Sequence, residues 1–152
     1  MRKLKRELIL KLYEKNIREL FAELKNNSLP DYLENNRDEF FVSLHEYLQL
    51  LLEEKNLIKL DVIRQSHIDR HYGYHIFSGK RLNPSRNKVL SLAIALKLNL
   101  QETQELLRHA RHCELCPRAP FDSIIISSIL QRLDVPQTNS LLKNFSVKEH
   151  LG

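Results

Sequence analysis

The chain has 152 residues, of which 42% are hydrophobic, with 3 glycines, 5 prolines, 2 cysteines and a formal net charge of +5 at pH 7. This length fits one domain, or one domain with an appended element, and the low glycine and proline content argues against a low-complexity chain. No apolar run approaches the roughly 18 residues of a membrane span, and the first residues lack the apolar core and cleavage site of a signal peptide. We therefore expect no membrane partner and, with two cysteines and no secretory signal, a reducing bacterial cytoplasm.

Leucine, glutamate and lysine are abundant and alternating β-branched runs are few, which predicts an all-α chain. The first predicted helix covers residues 2 to 26, where apolar residues recur at alternating steps of three and four. These residues are Leu10, Tyr13, Ile17, Leu20 and Leu24, with Phe21 beside them. The stripe fits a dimerisation seam or packing within the chain, and its two heptads are fewer than a coiled coil requires. Residues 1–37 are thus predicted to be an N-terminal helical extension with dimerisation as one role.

A break and a new helix start follow this extension. Pro30 breaks the first helix because proline lacks the backbone donor and restricts the residue before it. Ser43 and Glu46 have the spacing of a capping box, in which the serine caps the helix and the glutamate bonds back to it. They predict a helix that runs to about Lys55.

Two short helices joined by a tight turn are predicted within residues 59–88. The first runs from Lys59 to Ser66, and the second from Arg70 to Ser78, with Asp69 as its N-cap and Gly79 as a left-handed C-cap. Two helices with a turn of three or four residues between them is the arrangement that sets a second helix into the DNA major groove.

The same stretch holds the whole basic excess of the chain. Residues 59–88 contain seven Lys or Arg and two Asp, a net charge of +5, whereas the other residues contain 17 basic and 17 acidic side chains. Positive charge concentrated on one supersecondary unit is typical of a phosphate-binding surface.

The run from Ile68 to Leu98 resembles the phage-repressor-like (XRE-type) helix-turn-helix domains of bacterial regulators. Its pattern is I-x-x-x-Y-x-x-x-I-F-x-G-K-R-x-x-P-S-x-x-K-x-L-x-L-A-x-A-L-x-L. More closely, residues 31–130 resemble a group of such proteins in which a longer helical chain surrounds that unit. The resemblance implies a five-helix helix-turn-helix DNA-binding domain, here residues 38–112, and a regulatory role.

Three residues depart from the family pattern. Ile63 stands where the family usually has alanine, His67 where it commonly has glycine, and Gly73 at a usually apolar position. A β-carbon at a positive-φ position costs about 1 kcal/mol, as does a glycine inside a helix. Gly73 either lets Tyr72 or Tyr74 fold toward the DNA backbone or relieves crowding against the preceding helix.

DNA contacts are assigned in two classes. Base contacts are expected from the exposed residues of the second helix, namely Arg70, His71, Tyr74 and His75. Arg70 is the first candidate because its planar fork suits the two acceptors of guanine. Phosphate contacts are expected from the residues that flank this helix or open the next one, namely Lys59, Lys80, Arg81, Ser85, Arg86 and Lys88.

The C-terminal third is predicted to be helical as well. A buried helix after Ser85 should end near Asn99 in a left-handed residue, and another should cover residues 101–112. An αα-hairpin is then predicted over residues 113–152, with Asp122 capping its first helix. Such a hairpin must bury its face against residues 86–112 or against a twofold partner. The tail from residue 146 is expected to be loose.

One cluster offers a metal site as an alternative. His109, His112, Cys113 and Cys116 place two imidazoles and two thiols within eight residues, and Cys-x-x-Cys is a common zinc spacing. Adjacent His112 and Cys113 would have to turn toward one point, however, and zinc sites usually take their second ligand pair from a separate segment. Ordinary packing and a redox-active cysteine pair are the other interpretations. We therefore expect neither a metal nor another cofactor.

The sequence thus predicts a sequence-specific regulator of transcription that binds double-stranded DNA, acts as a homodimer and lies in the cytoplasm with the nucleoid. The alternative is a helical protein-interaction adapter that retains a degenerate helix-turn-helix fold and binds a protein partner. No phosphate-binding glycine loop, paired catalytic carboxylates or nucleophile with an adjacent base is evident, so an enzyme is not expected.

Overall fold

The computed structural model describes residues 15–152, and the first 14 residues, with Leu10 and Tyr13 of the predicted stripe, lie outside the described part. Within residues 15–152 the chain is all-helical, with nine α-helices, one 3-10 turn and no strand, as the all-α prediction expects. None of these helices is both long enough and apolar enough to cross a membrane. The chain divides into two compact units, one ending at Val42 and the other running from Ser43 to Gly152.

The helices have the following bounds: α1 Ile17–Asn26, α2 Leu29–Asn35, α3 Leu44–Lys55, α4 Lys59–Ser66, α5 Arg70–Ser78, α6 Arg86–Ala95, α7 Leu100–His109, α8 Pro120–Leu130 and α9 Val135–Asn144. The 3-10 turn Arg37–Glu39 follows α2.

A polar network organises the described part of the first unit. The Lys15 ammonium lies 2.7 Å from both Glu23 Oε1 and Asn36 Oδ1, and the Asn36 amide donates to Glu23 Oε2 at 2.7 Å. Asn36 is buried, so its amide needs these partners. The hydrogen bond with Lys15 lowers the pKa of Glu23, and the same bond raises the pKa of Lys15. The apolar stripe of α1 stays open, because Ile17, Phe21 and Leu24 are exposed.

The core of the second unit lies among α3, α4, α5, α6 and α7. Helix α6 is at its centre, since every residue from Val89 to Ala95 is buried. It contacts α4 on one side and α7 and α9 on others, while α3 contacts α5 and α7. Val62, Ile63, Ile68 and Ile76 are all buried. This packing fixes α5 on the scaffold while leaving one of its faces open.

Several predicted helix ends are corrected. Ser43 is the N-cap of α3, but its hydroxyl is buried and makes no hydrogen bond within the described chain, so no capping box forms there. The left-handed residue after α6 is Lys97, with φ 57°. Asn99 instead caps α7, in a capping box with Glu102.

The C-terminal part differs from its prediction in two places. Ala119, not Asp122, is the N-cap of α8, and Asp122 lies inside its first turn. The tail is not loose, because Leu151 is buried and both its backbone N–H and its carbonyl bond to the Asn139 side chain, at 2.7 and 3.0 Å. A polar side chain that satisfies both backbone groups of one residue holds the tail in place.

Gly73 is explained by the crossing of α4 and α5. A β-carbon built on Gly73 would lie 2.6 Å from Cγ2 of Ile63, which is too close for any real contact. The isoleucine at 63 therefore requires the glycine at 73. Of the two interpretations of Gly73, the structure supports relief of crowding against the preceding helix.

We expect Gly73→Ala to lower the free energy of unfolding by about 1–3 kcal/mol, because the added methyl overpacks the contact with Ile63. Ile63→Ala removes the side chain that the added methyl would meet. In the double variant the alanine at position 73 should therefore cost less stability than it does alone. Urea denaturation of both single variants and the double variant measures the coupling between the two sites. Simple additivity of the two losses would contradict the contact.

Candidate nucleic-acid interface

The residues predicted to read bases share the open face of α5. Arg70, His71 and His75 are exposed, and Tyr74 is half-buried. The Arg70 guanidinium lies 5.9 Å from the centre of the Tyr74 ring. The structure therefore brings all four predicted residues to one surface, on a helix whose opposite side, with Ile76 and Phe77, is buried.

The ends of α5 are fixed by local hydrogen bonds. The Asp69 carboxylate accepts from the Tyr72 N–H at 3.1 Å, and Gly79 ends the helix with φ 85°. In the preceding turn His67 has φ 57°, the left-handed conformation expected at a position where glycine is common. The Ser66 hydroxyl, which the sequence did not single out, donates to the Ile63 carbonyl at 2.6 Å and accepts from the Ile68 N–H at 3.2 Å. These hydrogen bonds fix the conformation of the turn between α4 and α5, and with it the direction in which α5 starts.

Tyr72 lies beside two of the predicted phosphate contacts. The Arg81 guanidinium lies 4.9 Å and the Lys88 ammonium 5.5 Å from the centre of its ring. Cations over an aromatic face are attracted by the ring quadrupole. Tyr72 was not among the predicted site residues. Its position between the N-cap Asp69 and the basic residues Lys80 and Arg81 could have suggested such a role. Tyr72 holds two cations beside the exposed face of α5.

Lys80, Arg81 and Ser85 are exposed around this face, and Lys59 is half-buried with its ammonium 6.0 Å from the Phe77 ring. Ser85 caps α6 by accepting from the Lys88 N–H. Within residues 15–152, neither Lys80 nor Arg81 forms an ion pair with a carboxylate. Their charges therefore face solvent.

Arg86 has a different set of partners from the predicted phosphate. Its guanidinium makes two bonds to the Asp122 carboxylate, at 2.8 and 2.9 Å, and donates to the carbonyls of Cys113 and Glu114. Four of its five N–H groups are thereby used inside the chain. Burial would raise the pKa of Asp122, but the bonds from Arg86 and from the Cys116 N–H together lower it. Arg86 thus ties α6 to α8 and to the loop between α7 and α8.

Lys88 is shared between two partners. Besides lying over Tyr72, its ammonium donates to the Gly152 carbonyl at 2.7 Å. The side chain is half-buried, so it is less available to a ligand than Lys80 or Arg81.

The four residues of the alternative metal site have separate environments. His109 is buried, stacks on Tyr47 with ring centres 3.7 Å apart, and donates from Nδ1 to the Glu105 carbonyl. His112 donates from Nε2 to the Pro84 carbonyl at 2.9 Å. Cys113 and Cys116 are exposed free thiols. Among the described residues, no group of three or more His, Cys, Asp or Glu side chains could hold a metal ion.

Comparison of the chain with protein-family models, with curated proteins and with solved structures finds no match in any of the three.

We expect Asp122→Asn to lower the free energy of unfolding by about 2–4 kcal/mol, because it leaves the half-buried Arg86 guanidinium without its counter-charge. Arg86→Lys should also destabilise the fold, since an ammonium cannot make the paired bonds of the guanidinium. Arg81→Lys is the matched control and should leave urea denaturation unchanged. If Asp122→Asn and Arg86→Lys were both as stable as the wild-type chain and the control, the ion pair would contribute nothing to stability.

His109 should make stability depend on pH. Burial lowers its pKa below the ordinary value of 6.5, so below that pH the unfolded chain takes up a proton that the folded chain does not. Stability should therefore fall as the pH drops from 6.5 toward the folded pKa, by up to about 1.4 kcal/mol per pH unit. His109→Phe, which keeps an aromatic ring against Tyr47, should remove this slope, while His71→Gln should retain it. Urea denaturation between pH 5 and pH 7 checks both, and an unaltered slope in His109→Phe would contradict the assignment.

Proposed function

We propose that this chain is a sequence-specific transcriptional regulator of double-stranded DNA that inserts α5 into the major groove. The observation that carries the proposal is the open face of α5, on which Arg70, His71, Tyr74 and His75 lie together. Helices α3 to α7 would form the five-helix repressor-like domain that the sequence resemblance implies. Helix α4 then crosses the backbone and α5 presents its N-terminal residues to base edges.

The division of labour among the polar residues follows from their surroundings. Arg70 is exposed near the start of α5, where its fork can donate to both acceptors of a guanine. Lys80 and Arg81 follow the end of α5 and, with Lys59, supply charge for phosphates, which fixes register without selecting sequence. Arg86 is left out of this set because its donors are used within the chain. Reading two half-sites requires two protomers, so the regulator acts as a homodimer.

A protein-interaction adapter is the second candidate, and the exposed stripe of α1 favours it. Ile17, Phe21 and Leu24 lie on one side of that helix, and Ile17 is 66% exposed. Apolar residues at such spacing on an open helix face fit a protein groove. Retention on duplex DNA in dilute buffer discriminates the two functions, since the adapter has no need to bind phosphates.

We expect Arg70→Ala to relax base preference by about 1–3 kcal/mol at one position of the site, because it removes a bidentate base contact. Lys80→Ala should weaken binding to all sequences alike and lower the salt slope by about one, because it removes one phosphate contact. The measurement is selection from random duplex DNA, followed by anisotropy titrations of selected and scrambled duplexes at several salt concentrations.

Lys143→Ala, a substitution of an exposed lysine on α9, is the control and should leave affinity and salt slope unchanged. Wild-type chain that shows no salt-dependent affinity for duplex DNA would refute the regulator. Identical selectivity profiles for Arg70→Ala and Lys80→Ala would refute the separate reading and positioning roles.

A further inference from the structure

The two C-terminal hairpins, α6 with α7 and α8 with α9, turn through segments of one sequence pattern. Residues 94–99 are Ile-Ala-Leu-Lys-Leu-Asn and residues 129–134 are Ile-Leu-Gln-Arg-Leu-Asp. An isoleucine, a cation, a leucine and a helix-capping Asn or Asp therefore recur at the same spacing. The cation has the left-handed conformation in both turns, Lys97 with φ 57° and Arg132 with φ 59°. The two turns are thus built alike.

Both turns lie at one cavity. Helix α6 contacts α9 and α7 contacts α8, and a cavity of about 310 Å³ is lined by residues of the two turns. This volume is within the range of small-molecule sites. The apolar part of the lining consists of two equivalent pairs, Ile94 with Ile129 and Leu98 with Leu133. Three of these side chains are buried and Leu133 is half-buried. The two hairpins therefore contribute to the apolar lining in the same way.

Two cations lie at this cavity, one from each turn. Lys97 and Arg132 both belong to its lining, and both are exposed. Within residues 15–152, neither forms an ion pair with a carboxylate. Two cations beside one apolar cavity repel each other, and an anion between them would relieve that repulsion. The charge of the lining therefore favours a negatively charged ligand.

The other polar residues of the lining leave this positive charge in place. Asp134 is its acidic member, and its carboxylate accepts from the Gln137 N–H at 2.9 Å as the N-cap of α9. This carboxylate is already used by the fold. Gln65, an exposed residue of α4, adds an amide whose N–H groups can donate to an anion.

The lining selects a ligand with two chemically different parts. A bare inorganic anion would pair with the cations but leave the apolar side chains in contact with water. A neutral hydrocarbon would cover those side chains but leave both cations without a counter-charge. The backbone amides of a peptide carboxylate would lie against isoleucine and leucine side chains, which offer them no hydrogen bond. A carboxylate on a short hydrocarbon chain satisfies both parts of the lining, because its head group makes charge-assisted bonds and its chain is apolar.

We propose that the cavity between the two hairpin turns binds a small organic acid, whose carboxylate lies between Lys97 and Arg132. Its unbranched hydrocarbon chain lies against Ile94, Ile129 and their leucine neighbours. Because Gln65 belongs to α4, the bound acid also contacts the helix that precedes α5. The site requires no DNA and stands independently of the proposed function.

The test is isothermal titration calorimetry of the full chain with octanoate in the absence of DNA. We expect a dissociation constant on the order of 0.1–1 mM, the range that a ligand of about ten heavy atoms reaches when head group and chain both contribute. Acetate has the same head group without the chain, and octanamide has the same chain with a neutral head group. Each of them should bind at least about tenfold more weakly than octanoate.

Lys97→Gln and Arg132→Gln should each weaken octanoate binding by about tenfold, because each removes one cation from the head group. The double variant should bind octanoate no better than octanamide. Arg111→Gln is the matched control, since Arg111 is also a cation with positive φ, 63°, but does not line the cavity. It should bind octanoate like the wild-type chain.

A wild-type chain that gives no heat of binding with octanoate would overturn the proposal. Equal affinity for octanoate and octanamide, or unchanged octanoate affinity in the double variant, would overturn it as well. Circular dichroism confirms that the variants are folded. Binding of duplex DNA is measured separately, so failure of the acid site and failure of the regulator are told apart.

Discussion

The helices of the second unit end in residues with positive φ, the left-handed conformation. Glycine adopts this conformation most easily, yet nearly all of these residues are of other types. Asn56, His67, Lys97, Arg111, Arg132 and Ser146 all have φ between 54° and 63°. Each costs about 1 kcal/mol relative to glycine. At each of them except His67 the cost is offset because the next N–H bonds back over the helix end, as Leu98 does to Ala93 and Leu133 to Ser128. After His67 the Ile68 N–H bonds to the Ser66 hydroxyl instead. These residues follow α3, α4, α6, α7, α8 and α9, and Gly79, also with positive φ, follows α5, so every helix from α3 to α9 is ended by a left-handed residue.

The helix bounds in this unit could be predicted where capping residues and glycine flank a helical pattern of apolar residues. The bounds of α4 and α5 agree with the sequence, because Asp69 and Gly79 mark the ends of α5 and leave little freedom between them. Lys97 was missed because nothing in a lysine signals positive φ, whereas Asn99 two residues later attracted the assignment. Ser43 and Glu46 have the spacing of a capping box, but the Ser43 side chain makes no capping hydrogen bond in the structure.

Side-chain partners were less predictable than helices, because they depend on segments distant in sequence. The charge count placed Arg86 with the other cations, yet Asp122, 36 residues away, makes it part of the scaffold. The Ile63 and Gly73 pair shows the same point for packing. Each looked like a separate departure from a family pattern, and together they are one compensated contact across the α4 and α5 crossing. The residues expected on the open face of α5 from the helix-turn-helix pattern, by contrast, do lie there.

The two C-terminal hairpins differ in what lies against their outer faces. Helices α6 and α7 contact α4 and α3, and through them hold α5 with its cations on the scaffold. On the second hairpin, Ile124, Ser127 and Leu141 line an open groove that contains no charged residue. The second unit therefore carries a cationic surface around α5 and an uncharged groove on α8 and α9, and only an interaction at the cationic surface would depend steeply on salt.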